Sequence, residues 1–195
     1  EPWSVDQLRA GLLSEHHDTR VHALAMSVQR DAPVDQLVNE LAQCVGACRI
    51  DPIALQLAAV ALGMVKRTSE RANAANVLAT LATVENALAV RIFAAHGFAQ
   101  LGQIPATAWP HVSLMLCDQD ATLRQVALRA ATPVATQGAA VIASVVAGTP
   151  PDKWTTEALA ALALSAGSSA DGMQRVEHYV LRSLQGQALL PSGIA

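Results

Sequence analysis

Apolar residues recur three and four positions apart along several segments of the chain, as Leu37, Leu41, Cys44 and Cys48 do in the second of them. This spacing places them on one face of an α-helix. Between these segments lie stretches that are apolar on nearly all sides and rich in alanine, the strongest helix former, which supplies about a fifth of the chain. The pattern predicts an all-α protein without β-sheet, in which amphipathic A helices alternate with more deeply buried B helices.

The B helices recur at intervals of 33 to 36 residues when they are aligned on one polar position. That position holds Arg20, Gln56, Arg91, Arg124 and Glu157. Alanine stands three places later every time, at Ala23, Ala59, Ala94, Ala127 and Ala160. Because small side chains let helix backbones approach closely, we predict that this alanine column lies in the packed interior.

Acidic residues mark the turn before each B helix: Asp18, Asp51, Glu85, Asp120 and Asp152. A side-chain oxygen at such a turn can accept hydrogen bonds from the free N–H groups of the helix, and its charge suits the helix dipole. We therefore predict that these acids begin the B helices. The A helices are predicted at about 4–14, 34–47, 69–83, 106–117 and 137–147.

The turn acid, the arginine, the alanine three places later and endings such as "AQLG" resemble HEAT repeats and their HEAT-like relatives in bacteria, including the PBS-lyase type. The stretches "DTRVHALA", "VRIFAAHGFAQLG" and "DATLRQVALRAA" carry the likeness, which covers roughly residues 4–167. Gln56 and Glu157 depart from the arginine of the pattern. Armadillo and tetratricopeptide arrays are also built from two-helix repeats, but their hallmark residues are not found.

This resemblance implies a right-handed α-α superhelix, or solenoid, of about five HEAT-like helix pairs in a single domain over residues 1–187. The repeat units are about 4–30, 34–66, 69–102, 106–134 and 137–167, followed by a polar capping helix at 171–186 and a flexible tail at 188–195. It also implies that Arg20, Arg91 and Arg124 bond the turn acids within and between units, the alternative being an anion-binding row.

Charge and composition narrow the class of partner. Charged residues make up 15% of the chain, the net charge is −3, and the 13 Lys and Arg are scattered, so nucleic-acid binding is not expected. The sequence contains no run of eighteen apolar residues, so no membrane span is expected. Three cysteines are too few, and odd in number, for a disulfide framework, which favours a reducing, cytoplasmic setting.

Candidate chemical sites have simpler structural interpretations. The cluster "EHHDTRVH", residues 15–22, has no histidine pair at helical spacing, so we interpret it as a solvated turn. Cys44 and Cys48 could hold a metal or sense oxidation, but buried small side chains explain them as well. HEAT-like deoxyhypusine hydroxylases hold di-iron with His-Glu pairs, and this chain has none. We therefore predict no metal, no cofactor and no catalytic residues.

Positions five and nine after the aligned polar residue point well away from the alanine column, at 100° per residue. They vary between units: Ala25, Ala61, His96, Arg129 and Leu162 at five, and Gln29, Val65, Gln100, Pro133 and Ala166 at nine. In HEAT proteins the B helices line the concave face. We accordingly predict partner-binding residues on these helices: His22, Gln29, His96, Gln100, Gln125 and Arg129.

The function expected from these observations is a non-catalytic scaffold or adaptor that binds a partner protein, or another domain of its own chain, through the concave face. A lyase-like HEAT enzyme or ligand-binding protein is the alternative. DNA binding, as in the HEAT-like alkylpurine DNA glycosylases, would need a more basic concave face.

Chelator and reductant should each leave the thermal unfolding of the protein unchanged, because neither the histidine nor the cysteine spacing closes a coordination sphere. The measurement is a melting curve with and without each reagent, together with metal analysis. Stoichiometric zinc or iron in the purified protein would contradict the prediction.

Overall fold

The computed structural model describes residues 3–29, 31–149 and 155–167, together with Gln174. Within these ranges the regular structure is helical throughout, which confirms the all-α prediction. The α-helices are α1 (Val5–Leu12), α2 (His17–Ser27), α3 (Val38–Ala47), α4 (Pro52–Gly63), α5 (Thr68–Leu81), α6 (Leu88–Leu101), α7 (Trp109–Leu116), α8 (Ala121–Ala131), α9 (Ala139–Gly148) and α10 (Thr156–Ala166). Short 3₁₀ segments lie at Val34–Gln36, Ala106–Ala108 and Thr132–Gly138.

These helices fall where the alternating A and B segments were predicted, with odd-numbered helices as A and even-numbered helices as B. The predicted capping helix at 171–186 and the tail at 188–195 lie outside the described residues, apart from Gln174, which is helical.

The chain divides into two compact units, Glu1–Ala108 and Trp109–Ala195. In the first, α3 packs between α1 and α5 in a layer of A helices, and α4 packs between α2 and α6 in a layer of B helices. The second unit repeats the arrangement with α7 against α9 and α8 against α10. Each A helix also contacts the B helix that follows it. The assignment of residues 1–187 to a single domain stays a prediction.

Two of the predicted turn acids cap B helices. Asp51 accepts hydrogen bonds from the backbone N–H groups of Ile53 and Ala54 at 2.8 and 3.2 Å, and Asp120 accepts one from Leu123 at 2.8 Å. Pro52 follows Asp51 at the first helical position, where its missing N–H costs nothing. The prediction that Asp51 and Asp120 begin α4 and α8 by accepting hydrogen bonds from the helix N–H groups is therefore confirmed.

The other acids do not begin their helices in this way. Asp18 lies inside the first turn of α2, whose N-cap is His16, and Ala87 rather than Glu85 is the N-cap of α6. Neither of those N-caps makes a side-chain capping bond. Asp152 is outside the described residues, and Thr155 caps α10 through a bond from the N–H of Ala158. A nearby acid is thus a helix-start signal without being the cap.

The arginines bond the turns through backbone atoms. Nη1 of Arg20 donates to the carbonyls of Ser14 and Glu15, at 2.7 and 2.9 Å. Nη1 of Arg124 donates in the same way to the carbonyls of its own preceding turn, residues 118 and 119, at 3.1 and 2.9 Å. Each arginine stands four residues after its N-cap. The expectation of bonds to turn-acid carboxylates is wrong for Arg20 and Arg124, because the ends of the A helices offer unpaired carbonyls at that place.

The predicted alanine column is interior in four of the five B helices. Ala23, Ala59, Ala94 and Ala127 are fully buried, at 0% exposure. Ala160 is only half-buried, and Ala158 and Ala161 are the buried alanines of α10. Because α10 begins after Thr155, Ala160 stands five residues from the cap, whereas Ala23, Ala94 and Ala127 stand seven from theirs.

Helices α4 and α6 approach each other closely at two glycines. A Cβ placed on Gly63 would lie 2.9 Å from the Cα of Gly97 and 2.4 Å from Oε1 of Gln100. A Cβ on Gly97 would lie 2.7 Å from the Leu78 side chain and 3.3 Å from the carbonyl oxygen of Ala59. Glycine at both positions therefore sets the distance between the two backbones.

One helical run in the described part of the chain, Ala121–Gly148, has the length and mean hydropathy (1.5) of a membrane span. It consists of α8, a 3₁₀ segment and α9, and Val134 interrupts it with non-helical angles, φ −133° and ψ 15°. Its two α-helices also pack against α7 and α10. The run is therefore a pair of packed helices and gives no clear membrane span.

Replacing Gly63 by alanine should lower the free energy of unfolding by roughly 1–3 kcal/mol, because the new methyl meets the backbone of α6. Gly46→Ala in α3 is the matched control. A Cβ there has no atom within 4 Å, so helix propensity should raise the free energy of unfolding by about 0.5–1 kcal/mol. Urea unfolding of both variants measures the difference. Equal stability of the two would show that α4 and α6 are not in close contact.

Candidate partner-binding face

Counting from the N-cap residues aligns the B helices of the first unit more closely than counting from the arginine. The caps are His16, Asp51 and Ala87, for α2, α4 and α6. Positions two, six, nine and thirteen after each cap share one side of the helix, at 100° per residue. Every residue at these positions is exposed or half-buried. We call this surface the B face: Asp18, His22, Ala25, Gln29, Ile53, Leu57, Val60, Met64, Ala89, Phe93, His96 and Gln100.

The centre of the B face is apolar, and its flanks are mixed, with Asp18, His22 and Gln29 beside Ala25 on α2 and His96 and Gln100 beside Ala89 and Phe93 on α6. The four α4 residues are Ile53, Leu57, Val60 and Met64, and Ile53 is 65% exposed. The α2 and α6 helices on either side contribute histidine and glutamine side chains. A pocket of about 410 Å³ lies at one end of the face, between α2 and α4, where Val21, Ala25 and Ile53 form its apolar lining. The B face therefore has an accessible apolar surface along α4, with hydrogen-bonding side chains on the two neighbouring helices.

Four predicted binding residues lie on the B face. The ring of His22 is edge-on to that of Trp3, with centroids 5.0 Å apart. The side chain of Gln29 contacts the Met26 sulfur at 3.3 Å. Gln100 lies over Gly63, and His96 is half-buried on α6. His22, Gln29 and Gln100 are exposed and His96 is half-buried, and binding by these residues stays a prediction.

The other two predicted residues, Gln125 and Arg129, belong to the second unit. Both are exposed on α8, five and nine residues after its cap. Three residues of the variable columns are instead buried: Ala61, Val65 and Leu162. The expectation that those columns are free of packing is wrong in α4 and α10, since the alignment is displaced there by one and two residues relative to the caps.

The one-residue displacement of the alignment in α4 also prevented the sequence analysis from identifying the apolar centre of the B face. Aligned on Gln56, α4 presented Ala61 and Val65 as its outer residues, and the true outer pair is Val60 and Met64. The sequence did hold the signal that would have found them, because "DP" before an apolar run is a helix start and fixes the register.

The histidine-rich turn contributes a contact between repeats. Nε2 of His17 lies 3.0 Å from Oδ2 of Asp51, the residue that caps α4. Within the ranges that the structure describes, no three His, Cys, Asp or Glu side chains converge as a metal site would need. The His17–Asp51 pair therefore ties α2 to the start of α4.

Cys44 and Cys48 face each other inside the A layer. Their sulfurs are 3.9 Å apart, both residues are 1% exposed, and both are free thiols. Burial, with a smaller contribution from Cys48, raises the pKa of the Cys44 thiol to about 12. Burial also raises the pKa of the Cys117 thiol. Because thiolate is the reactive form, Cys44 is suited to packing rather than to chemistry at neutral pH.

Comparison with known proteins gives a fold but no family. No protein-family model matches the sequence, and neither does any curated protein. Solved structures do match, among them the crystal structure of an engineered protein from the Northeast Structural Genomics Consortium. It superposes with a TM-score of 0.64 at 18% sequence identity, covering 97% of this chain and 90% of that chain. At this identity the likeness concerns the fold alone.

The raised pKa of Cys44 predicts a loss of stability at high pH. The unfolded chain ionises this thiol near its ordinary pKa, whereas the folded chain keeps it neutral up to about 12. The folded state then binds more protons between those values, so its stability falls as pH rises, by at most about 1.4 kcal/mol per pH unit.

Urea unfolding of the wild type and of Cys44→Ala between pH 8 and 11 measures this effect. The wild type should lose more stability over that range than the variant does, and parallel curves would contradict the pKa assignment.

Proposed function

We propose that the protein is a non-catalytic interaction module, a HEAT-like solenoid that binds a partner protein or a neighbouring domain of its own chain through its B helices. The observation that carries this proposal is the row of four solvent-accessible apolar residues along α4, between flanks of α2 and α6 that include histidine and glutamine side chains. Among the residues that the structure describes, Ile53 is largely exposed, and Leu57, Val60 and Met64 remain partly open to solvent.

The chemistry of the B face suits a protein partner. Protein interfaces combine a desolvated apolar centre with a polar rim, and exposed apolar patches rimmed by polar residues mark binding surfaces. Here Leu57 and Val60 would form the centre, and His22, His96 and Gln100 would supply donors and acceptors at the rim. The face contains no Lys or Arg and includes Asp18, which favours a protein over a nucleic acid.

The repeat contacts support the solenoid part of the proposal. Nε of Arg124 bonds Oε2 of Glu157 at 3.0 Å, and Nε of Arg9 bonds Oε1 of Glu40 at 2.7 Å. The partners stand 33 and 31 residues apart, about one repeat. Each pair therefore joins one helix pair to the next, as a stack of similar units requires. In such a stack the B helices line the concave side, where a partner is held.

Val60→Glu combined with His96→Glu should abolish capture of the native partner while leaving the helical content unchanged. Both side chains reach solvent, so the variant can fold, but two carboxylates would have to be desolvated in the complex. Pull-down from the native source, followed by identification of the retained proteins, measures capture, and circular dichroism checks the fold.

Gln43→Glu, an exposed residue of α3, is the control and should capture as the wild type does. Capture that survives in the double variant and is lost with Gln43→Glu would place the partner on the A helices and reject the B face.

A further inference from the structure

A second cavity lies in the A layer, away from the B face. It has a volume of about 620 Å³ and is bounded by α3, α5 and the turn that follows α5. Val45, Leu55 and Leu81 form its floor, each less than a tenth exposed. None of its lining residues belongs to the B face. The volume is within the range of about 300–1,000 Å³ that small-molecule sites occupy.

Gly46 helps to keep this cleft open. It lies on α3 at the cleft wall, and a Cβ built on it has no neighbouring atom within 4 Å. The other glycines of the first unit that lie within helices, Gly11, Gly63 and Gly97, are each in close contact with another helix. Close packing therefore does not explain the glycine at position 46, and a larger side chain there would extend into the open space of the cleft that it lines.

The polar groups around the cleft are mostly engaged by the protein itself. Nδ2 of Asn86 donates to the carbonyls of Thr80 and Leu81 at the end of α5, at 3.0 and 3.2 Å. The Thr80 hydroxyl donates to the carbonyl of Val77, and Glu85 is held by another interaction. Their remaining hydrogen-bonding capacity toward a ligand is therefore reduced.

Arg49 differs from these neighbours. It lies on the cleft wall, just after α3, and is exposed. Throughout the described ranges no hydrogen bond or ion pair to its guanidinium group is found. It is also the cleft's sole cationic side chain among the residues that the structure places there. An uncommitted guanidinium above an apolar floor is complementary to a carboxylate carried on an apolar body, since its planar fork matches a carboxylate with two parallel hydrogen bonds.

We propose that the cleft between α3 and α5 binds a small apolar carboxylate, with the carboxylate at Arg49 and the apolar body over Val45, Leu55 and Leu81. This site is separate from the B face, so it goes beyond the proposed partner binding and does not depend on it. The apolar floor supplies affinity through burial of the ligand, and Arg49 sets its orientation.

Octanoate is the probe, and 1-octanol is its neutral match. Isothermal titration calorimetry on the full chain should show saturable binding of octanoate and weaker binding of 1-octanol. Arg49→Gln should weaken octanoate about tenfold and leave 1-octanol unchanged, because it removes one partly exposed charge-assisted contact. Arg67→Gln, which changes an exposed cation outside the cleft, should bind octanoate as the wild type does.

A second pair of variants tests the cavity itself. Gly46→Leu should abolish octanoate binding by filling the cleft, whereas Gly46→Ala should preserve it. Saturable binding that is equal for both probes, or that is insensitive to both Arg49→Gln and Gly46→Leu, would overturn the proposal, as would the absence of octanoate binding. Pull-down with the same variants separates the two proposals, since loss of the cleft leaves the B face intact.

Discussion

The close contact between α4 and α6 at Gly63 and Gly97 is the constraint on which the first unit depends. The helix α4 lies in the middle of the B layer and packs against α2 and α6 there and against α3 and α5 of the A layer. A methyl group at Gly63 would meet the α6 backbone at 2.9 Å, and displacing α6 would disturb α5, whose Leu78 rests against Gly97. Cores packed at crystal-like density pass such a displacement on to their neighbours. The small residues of α4 are therefore a requirement of its position.

The same constraint explains why α4 carries the apolar centre of the B face. Its inner side is occupied by Ala54, Ala58, Ala61 and Leu62, all buried at 4% exposure or less, and this side meets the neighbouring helices. The opposite side holds Ile53, Leu57, Val60 and Met64, which are exposed or half-buried in the part of the chain that the structure describes. A surface helix would normally carry charged residues there. The apolar outer row is thus not explained by the packing of the described helices, and it is the feature on which the proposed partner binding rests.

The sequence predicted the helices well because their signals are local. Spacing of apolar residues, alanine content and the caps Asp51 and Asp120 depend on neighbours along the chain, and these determined the positions of helices α3, α4 and α8. Register was harder to predict. Arg20, Arg91 and Arg124 stand four residues after their caps, but Gln56 and Glu157 stand five and two after theirs. An alignment that treats all five as equivalent displaces α4 and α10, and burial of Ala61 and Leu162 was missed for that reason.

Glu157 shows why such a departure need not break a repeat contact. Arg124 bonds the carbonyls of its own turn through Nη1 and turns its Nε toward the Glu157 carboxylate. Glu157, near the start of α10, therefore pairs with the arginine of the previous unit, although the sequence alignment placed the two residues in one column. Both side chains are largely shielded, at 21% and 15% exposure, so the pair is less screened than a surface ion pair.

The cleft in the A layer could not be predicted from the sequence, because its lining residues form no motif or spacing pattern that would indicate a binding site. In the sequence, Gly46 is only a residue that lowers the stability of a helix, and Arg49 is typical of a solvated charge at a helix end. Only the packing brings them to the wall of a cavity whose floor includes Leu55 of α4 and Leu81 of α5. Local signals specify which residues are helical, whereas a cavity depends on which helical residues lack a neighbour, and that is a property of three helices together.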